Sequence, residues 1–125
     1  MNHSFLKIVF AFLFTLLSLN ISAQKFQAYA YKASHNSQWT RCNRMIEIRK
    51  DFDEIILEVY WSVIGGEQYY LSKKIKEGED YIIMEAYGPN AERFKVAITY
   101  TSHDVILILK SNRNEFSYRM RGISN

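Results

Sequence analysis

The sequence is poor in the residues on which many small domains and most catalytic or metal sites depend. It has one cysteine, Cys42, one proline and three histidines among 125 residues. A single cysteine excludes a disulfide within the chain, so packing alone must hold the fold together. The usual zinc patterns are excluded too, because the sequence has no Cys-x-x-Cys and no close pair of histidines. We therefore predict no metal site and no cofactor.

The first 23 residues contain no acidic side chain and have the organisation of a secretory signal peptide. Lys7 supplies a positive charge, and residues 8–17 then form an apolar run without any charge. The small residues Ser22 and Ala23 precede Gln24, as a leader peptidase requires. The apolar run is shorter than the roughly 20 residues that cross a bilayer. We predict cleavage after Ala23 and a secreted or periplasmic mature protein without a membrane span.

Charges of the two signs are nearly balanced along the chain. There are 16 lysines and arginines and 13 acidic residues, which gives a formal net charge of +3. The signs are interleaved, as in residues 73–80, where three lysines are followed by three acidic residues. Nucleic-acid-binding proteins usually carry a basic stripe on one face. The sequence therefore predicts no nucleic-acid partner.

After the leader, apolar and polar residues alternate with a period of two, which is typical of β-strands with one buried face. Phe94, Val96 and Ile98, for example, alternate with polar or small residues. The predicted strands cover residues 26–33, 44–50, 54–63, 68–74, 81–87, 94–101, 104–110 and 115–121. The first of these segments fits a short helix as well as a strand.

Residues that favour turns lie between the predicted strands. The turns are predicted at residues 51–53, 65–66, 78–80, 88–90, 102–104 and 112–114. Short connections of this kind favour antiparallel neighbours. We predict a single all-β domain over residues 24–125, an antiparallel meander of seven to eight strands that forms a small β-sandwich or a barrel.

Two of the predicted strands are apolar on both faces. Ile56 and Tyr60 lie on the otherwise polar face of one strand, and Ile106 and Ile108 lie on that of another. A strand with one face in water should alternate apolar and polar residues, so the second face of these two strands must be covered from water. Loops and the stems of lysine and arginine side chains are one explanation. The other is a partner surface, including that of a homodimer.

Aromatic residues are the most distinctive feature of the mature chain, which has nine tyrosines and two tryptophans. Aromatic faces stack on sugars and on other flat or apolar ligands. The competing explanation is that aromatic pairs across neighbouring strands stabilise a small sheet. The candidates for an aromatic ligand-binding surface are Tyr29, Tyr31, Trp39, Tyr60, Tyr69, Tyr70 and Tyr87.

The residues available for catalysis show no established pattern. Cys42, His35 and Asp104 have the chemistry of a nucleophile, a base and an orienting group, but their spacing matches no family signature. Acidic pairs such as Asp51 and Asp53 lack the pattern of a calcium loop, and a domain this small rarely builds a glycosidase cleft. We name no catalytic residue. A thiol enzyme or small hydrolase that uses Cys42 or a carboxylate pair remains an alternative.

A leader ending Ser-Ala-Gln is followed by a tryptophan, a strand of I-x-I type, a turn, an apolar strand and a strand with tyrosines. These segments are Trp39-Thr40-Arg41-Cys42-Asn43, Ile46-Glu47-Ile48, Ile55-Ile56-Leu57 and Gln68-Tyr69-Tyr70-Leu71. In this order the chain resembles a group of small secreted bacterial domains of uncharacterised function. The resemblance implies a bacterial source and an all-β fold, and it brings no catalytic residues with it.

The functional hypothesis that follows is a non-enzymatic binding or interaction domain of the bacterial envelope or exterior. Its partner would be another protein or a small apolar or sugar ligand. A structural accessory subunit of an envelope complex is the further alternative.

Overall fold

The structure is a computed structural model that describes residues 23–34 and 37–123. The predicted leader, apart from Ala23, and His35 lie outside the described residues. The strands are β1 Gln24–Lys32, β2 Thr40–Asp51, β3 Glu54–Ser62, β4 Gly65–Glu77, β5 Tyr81–Tyr87, β6 Arg93–Tyr100, β7 Val105–Lys110 and β8 Glu115–Gly122. One turn of 3₁₀-helix, Pro89–Ala91, separates β5 from β6. No helix in the described part is long and apolar enough to cross a membrane.

Each strand pairs antiparallel with the next one along the chain, and β8 pairs with β1, so the sheet closes into a barrel. This confirms the predicted all-β meander and selects the barrel over the sandwich. The ambiguous first segment is a strand because it supplies the ladder for β2 on one side and β8 on the other. A bulge between Ala28 and Ala30 lets β1 bend while it keeps both ladders.

The alternating pattern places one phase of every strand inside the barrel. On β6, Phe94, Val96, Ile98 and Tyr100 are buried, while Lys95 between them is exposed. Side chains from all eight strands meet in one hydrophobic core. An eight-stranded barrel has an interior just wide enough for side chains to fill it. The middle of this barrel is therefore packed.

The predicted turn at residues 65–66 is wrong. The chain reverses at Val63 and Ile64, and both glycines belong to β4. Gly66 is needed for a close approach of two strands, because a Cβ atom there would lie 2.0 Å from the carbonyl oxygen of Val59 on β3. The other predicted turns fall between strands, except that Asp51 is the last residue of β2.

The outer face of β3 is covered within the chain. Ile56 is opposite Arg49 on β2 and Tyr70 on β4, and it is only 4% exposed. Intramolecular cover therefore accounts for Ile56. Ile106 and Ile108 are half-buried on the outer face of β7. A partner surface or homodimer contact at these two isoleucines stays a prediction.

Candidate functional site

One end of the barrel, which we call the open end, is bordered by the described residues of four connections, at 33–34 and 37–39, 63–64, 88–92 and 111–114. The meander brings these four connections together because each lies where an odd-numbered strand ends and the next strand begins. The connections at residues 52–53, 78–80 and 101–104 lie at the other end.

At the open end the inward-facing residues of β2 and β4, the strands on either side of β3, change from apolar to charged. Arg44 is in phase with the buried Ile46 of β2, and Glu67 is in phase with the buried Tyr69 of β4. Side chains two residues apart on a strand point to the same face. Both charged side chains are therefore directed toward the barrel axis, just above the hydrophobic core.

A cavity of 240 Å³ opens between these side chains. Its lining includes four aromatic rings and two opposite charges: Tyr31, Arg44, Trp61, Glu67, Phe116 and Tyr118. Small-ligand sites are concave, mainly apolar or aromatic, and carry a few polar groups that fix orientation. The cavity has this composition.

The basic side of the cavity is held in place by two tyrosines. The guanidinium carbon of Arg44 lies 5.4 Å from the centre of the Tyr31 ring. Its Nη1 donates a hydrogen bond of 3.3 Å to the hydroxyl of Tyr118, and burial raises the pKa of that hydroxyl. Stacking and hydrogen bonding together orient a guanidinium. Arg44 is thus a positioned cation rather than a freely moving one.

The acidic side contains two carboxylates close to one phenol. The hydroxyl of Tyr69 donates a hydrogen bond of 2.7 Å to Oε2 of Glu67. Burial, this hydrogen bond and the charges of Glu67 and Glu92 all raise the pKa of Tyr69, so the phenol remains a neutral donor. Oε2 of Glu92 is buried and has no hydrogen-bond partner within the described residues.

Arg44 and Glu67 line the same cavity without neutralising each other. The ion pairs among the described residues join other side chains, with none between these two. Charged groups removed from water are unfavourable unless a partner meets them. The open end therefore presents a cation and a carboxylate that are both available to a ligand.

The connection after β5 covers one part of the open end. Gly88 is buried there, and a Cβ atom on it would lie 2.7 Å from the ring of Phe94 and 3.1 Å from that of Tyr69. The backbone therefore lies directly on these two rings. The cavity is lined by residues of β1, β2, β3, β4 and β8 and by Ala33.

The predicted aromatic surface is divided among several places. Tyr31 lines the cavity, and Tyr69 lies in the core below it. Tyr70 and Tyr87 are neighbours on the outer face, where they border a wider groove of 610 Å³ together with Trp61. Trp61 therefore connects the cavity with this outer groove.

The other predicted aromatics already contact charges of this chain. On the outer face, the guanidinium carbon of Arg121 lies 4.6 Å from the centre of the Tyr29 ring. The Trp39 ring centre lies 4.9 Å from Nζ of Lys32 and 4.7 Å from the guanidinium carbon of Arg119. The aromatic residues predicted from the sequence do not form one continuous face.

Tyr60 belongs to a polar network on the outside of β2 and β3. Its hydroxyl donates a hydrogen bond of 3.1 Å to Glu47, which forms an ion pair with Arg49. Arg49 also pairs at 2.8 Å with Glu58, which is 6% exposed. Tyr60 is thus a structural partner on this face.

Of the residues that line the cavity, only Tyr31 was predicted from the sequence, and six were missed: Ala33, Arg44, Trp61, Glu67, Phe116 and Tyr118. The sequence contains a signal for Arg44 and Glu67, because each is a charged residue at a position where the alternation of its strand predicts an inward-facing apolar one. A charged residue in the buried phase either terminates the core or serves a site. Only the closed topology shows that these positions on β2, β4 and β8 meet.

The geometry around Cys42 does not support a thiol enzyme. Its Sγ lies 3.6 Å from the carbonyl oxygen of Ala28, and burial raises the pKa of the thiol, which disfavours the reactive thiolate. The carboxylate of Asp104 accepts a hydrogen bond from Tyr29 instead. Asp51, at the end of β2, and Asp53, in the turn that follows, are both exposed. Among the described residues no group of histidine, cysteine and acidic side chains is arranged to hold a metal ion.

No protein-family model, curated protein or solved structure matches the chain. The resemblance to small secreted bacterial domains stays a prediction. Function must therefore be argued from the open end itself.

Proposed function

We propose that this protein is a non-enzymatic binding protein, secreted or periplasmic, that holds a small ligand at the open end of its barrel. The observation that carries the proposal is the cavity in which Arg44 and Glu67 lie among aromatic rings, neither of them in an ion pair with a described residue. The two charged side chains would fix the orientation of a ligand, and the rings would supply apolar contact.

The packed core supports binding at the end of the barrel and not within it. Side chains such as Phe26, Leu57 and Leu107 are fully buried and fill the middle. Eight-stranded barrels either fill their interior with side chains or enclose one small ligand. Here the filled interior serves as a rigid base, and the ligand would lie above Tyr69 and Tyr118.

Binding without catalysis is supported by the chemistry of the lining. A nucleophile needs a base within hydrogen-bond reach, and none of the described residues that line the cavity is a serine, cysteine or histidine. Extracytoplasmic localisation is supported by the leader-like residues 1–23, as argued from the sequence.

Native mass spectrometry of the protein recovered from its own host tests this function. We expect the chain to carry a small bound mass, and we expect that mass to disappear in an Ala33→Trp variant. Ala33 is exposed and lines the cavity, so an indole there fills the space. Asn112→Trp is the matched control, because Asn112 is exposed at the same end but does not line the cavity.

Two outcomes contradict the proposal. One is a bare chain under conditions that preserve weak complexes. The other is a bound mass that survives Ala33→Trp as well as it survives Asn112→Trp.

A protein partner is a second candidate, favoured by the tip of the β3–β4 hairpin. Val63 is 99% exposed, Ile64 is 93% exposed and Trp61 beside them is 63% exposed. Apolar side chains clustered on a surface mark interaction sites. This candidate expects a second chain in the same spectra, lost in the Val63→Ser, Ile64→Ser double variant. The control is Phe52→Ser, since Phe52 is 92% exposed at the other end.

A further inference from the structure

We infer that the ligand of the open end is a zwitterion with an apolar body, of the size and chemistry of an amino acid. Arg44 would bind its carboxylate and Glu67 its ammonium group. This inference rests on the proposed function and specifies the ligand class of the same site.

The carboxylate assignment follows from the state of Arg44. A guanidinium has five N–H donors in a planar fork that matches a carboxylate in bidentate fashion. Arg44 uses Nη1 toward Tyr118 and stacks on Tyr31, and it has no carboxylate partner among the described residues. It is therefore a fixed, partly buried cation with donors to spare.

The ammonium assignment follows from the acidic side. Glu67 accepts one hydrogen bond from Tyr69, and a carboxylate has further acceptor sites. Glu92 adds a second negative charge near Tyr69, with one oxygen buried and without a hydrogen bond. An ammonium group has three donors and one positive charge, which suits a site of this kind.

The aromatic lining identifies the rest of the ligand as apolar. Tyr31, Trp61 and Phe116 border the cavity, and its 240 Å³ is smaller than the roughly 300–1,000 Å³ of sites for drug-sized ligands. The space suits a ligand with a single amino-acid side chain. Larger sugars and lipids exceed it.

A ligand with one charge satisfies only half of the site. An anion meets Arg44 but leaves its negative charge near Glu67 and Glu92, whereas a cation leaves Arg44 without a carboxylate. Like charges at close range oppose binding. A zwitterion avoids both costs, and this distinguishes the inference from a general small-molecule site.

Three matched probes test the inference: L-phenylalanine, 2-phenylethylamine and 3-phenylpropionate. They share one ring and chain and differ in carrying both charges, only the ammonium or only the carboxylate. Binding is followed at low salt by tryptophan fluorescence in a Trp39→Phe background, where Trp61 reports from the cavity wall. We expect L-phenylalanine to bind about tenfold more tightly than either relative, since each charge-assisted contact is worth about that factor.

Variants assign each charge. We expect Arg44→Met to reduce the affinity for L-phenylalanine to that of 2-phenylethylamine, and Glu67→Gln to reduce it to that of 3-phenylpropionate. Lys50→Met and Glu79→Gln remove the same charges near the other end and should change the affinity less than twofold.

The inference and the proposed function fail differently. If the three probes bind with equal affinity, or if a singly charged probe binds best, the zwitterion assignment is wrong and small-ligand binding at the open end stands. If no probe binds, the zwitterion assignment is wrong as well. If, in addition, the protein from its host carries no bound mass, small-ligand binding is wrong too.

Discussion

Gly66 lies so close to the backbone of Val59 that even a methyl group does not fit between them. The contact joins β3 and β4 just below the hairpin that carries Trp61. The contact explains why residue 66 is a glycine although it lies in a strand and not in a turn. It also makes the position of Trp61 depend on how closely β3 and β4 approach each other.

Gly66→Ala should therefore destabilise the barrel. The added Cβ would meet backbone atoms of Val59 and Tyr60, at 2.0 and 2.7 Å, which cannot rotate away as a side chain does. We expect a loss of about 1–3 kcal/mol in the free energy of unfolding, measured by urea denaturation. Gly65→Ala is the matched control, because its Cβ would meet nothing within 4 Å. Equal stability of the two variants would contradict this explanation.

The ion pair between Arg49 and Glu58 should contribute more to stability than the exposed pair between Lys74 and Glu77 on β4. Glu58 is 6% exposed, so Arg49→Met leaves a buried carboxylate with a weaker set of partners. We expect a loss of about 1–3 kcal/mol. Glu77→Gln removes an exposed pair with Lys74 at 3.2 Å and should change stability by less than about 0.5 kcal/mol. A larger loss from Glu77→Gln than from Arg49→Met would overturn this ranking.

Neighbouring residues on β7 should respond in opposite ways to a charge. Leu107 is fully buried, and Ile108 is on the outer face. We expect Leu107→Glu to prevent folding, because an unpaired charge would enter the core. Ile108→Glu should remain folded by circular dichroism and keep a cooperative unfolding transition. If Ile108→Glu unfolds and Leu107→Glu does not, the inward and outward phases of β7 have been exchanged.

Stability should fall at alkaline pH, in part through Tyr60. Burial and the neighbouring Glu47 raise its pKa to about 12 from the ordinary 10.0. Between these values the unfolded chain loses a proton that the folded chain keeps, so the free energy of unfolding decreases as pH rises from 10 to 12. The decrease due to Tyr60 is below about 1.4 kcal/mol per pH unit, because the residue is partly exposed. Tyr60→Phe should show a shallower decrease in urea denaturation at pH 9, 10 and 11, and an unchanged slope would refute this linkage.

The sequence predicted most of the fold, and the reason is physical. Alternation with period two determines which side chains face inward on a strand, and short connections impose the meander. The choice between a sandwich and a closed barrel stayed open, because no local sequence pattern indicates that β1 pairs with β8. The turn after β3 was placed incorrectly because a glycine needed for close approach has the same sequence signal as a turn glycine.

The candidate site was predicted less well than the fold. Tyr31 was named, but Arg44 on β2 and Glu67 on β4 are far apart in the sequence, and only the closed barrel brings them to one cavity with Tyr118 of β8. Tyr29 and Trp39 were named as ligand-binding residues, whereas each contacts a cation of this chain. Composition shows how many aromatic residues exist, and only the tertiary structure shows which of them remain available.

The most direct test of the central claim is a map of backbone amide chemical shifts during titration with L-phenylalanine. The account predicts saturable shifts concentrated at the cavity, around Tyr31, Arg44, Trp61, Glu67 and Tyr118, with the residues around Phe52 and Glu79 unaffected. Shifts spread evenly over the barrel, confined to its other end or absent would contradict a zwitterion site at the open end.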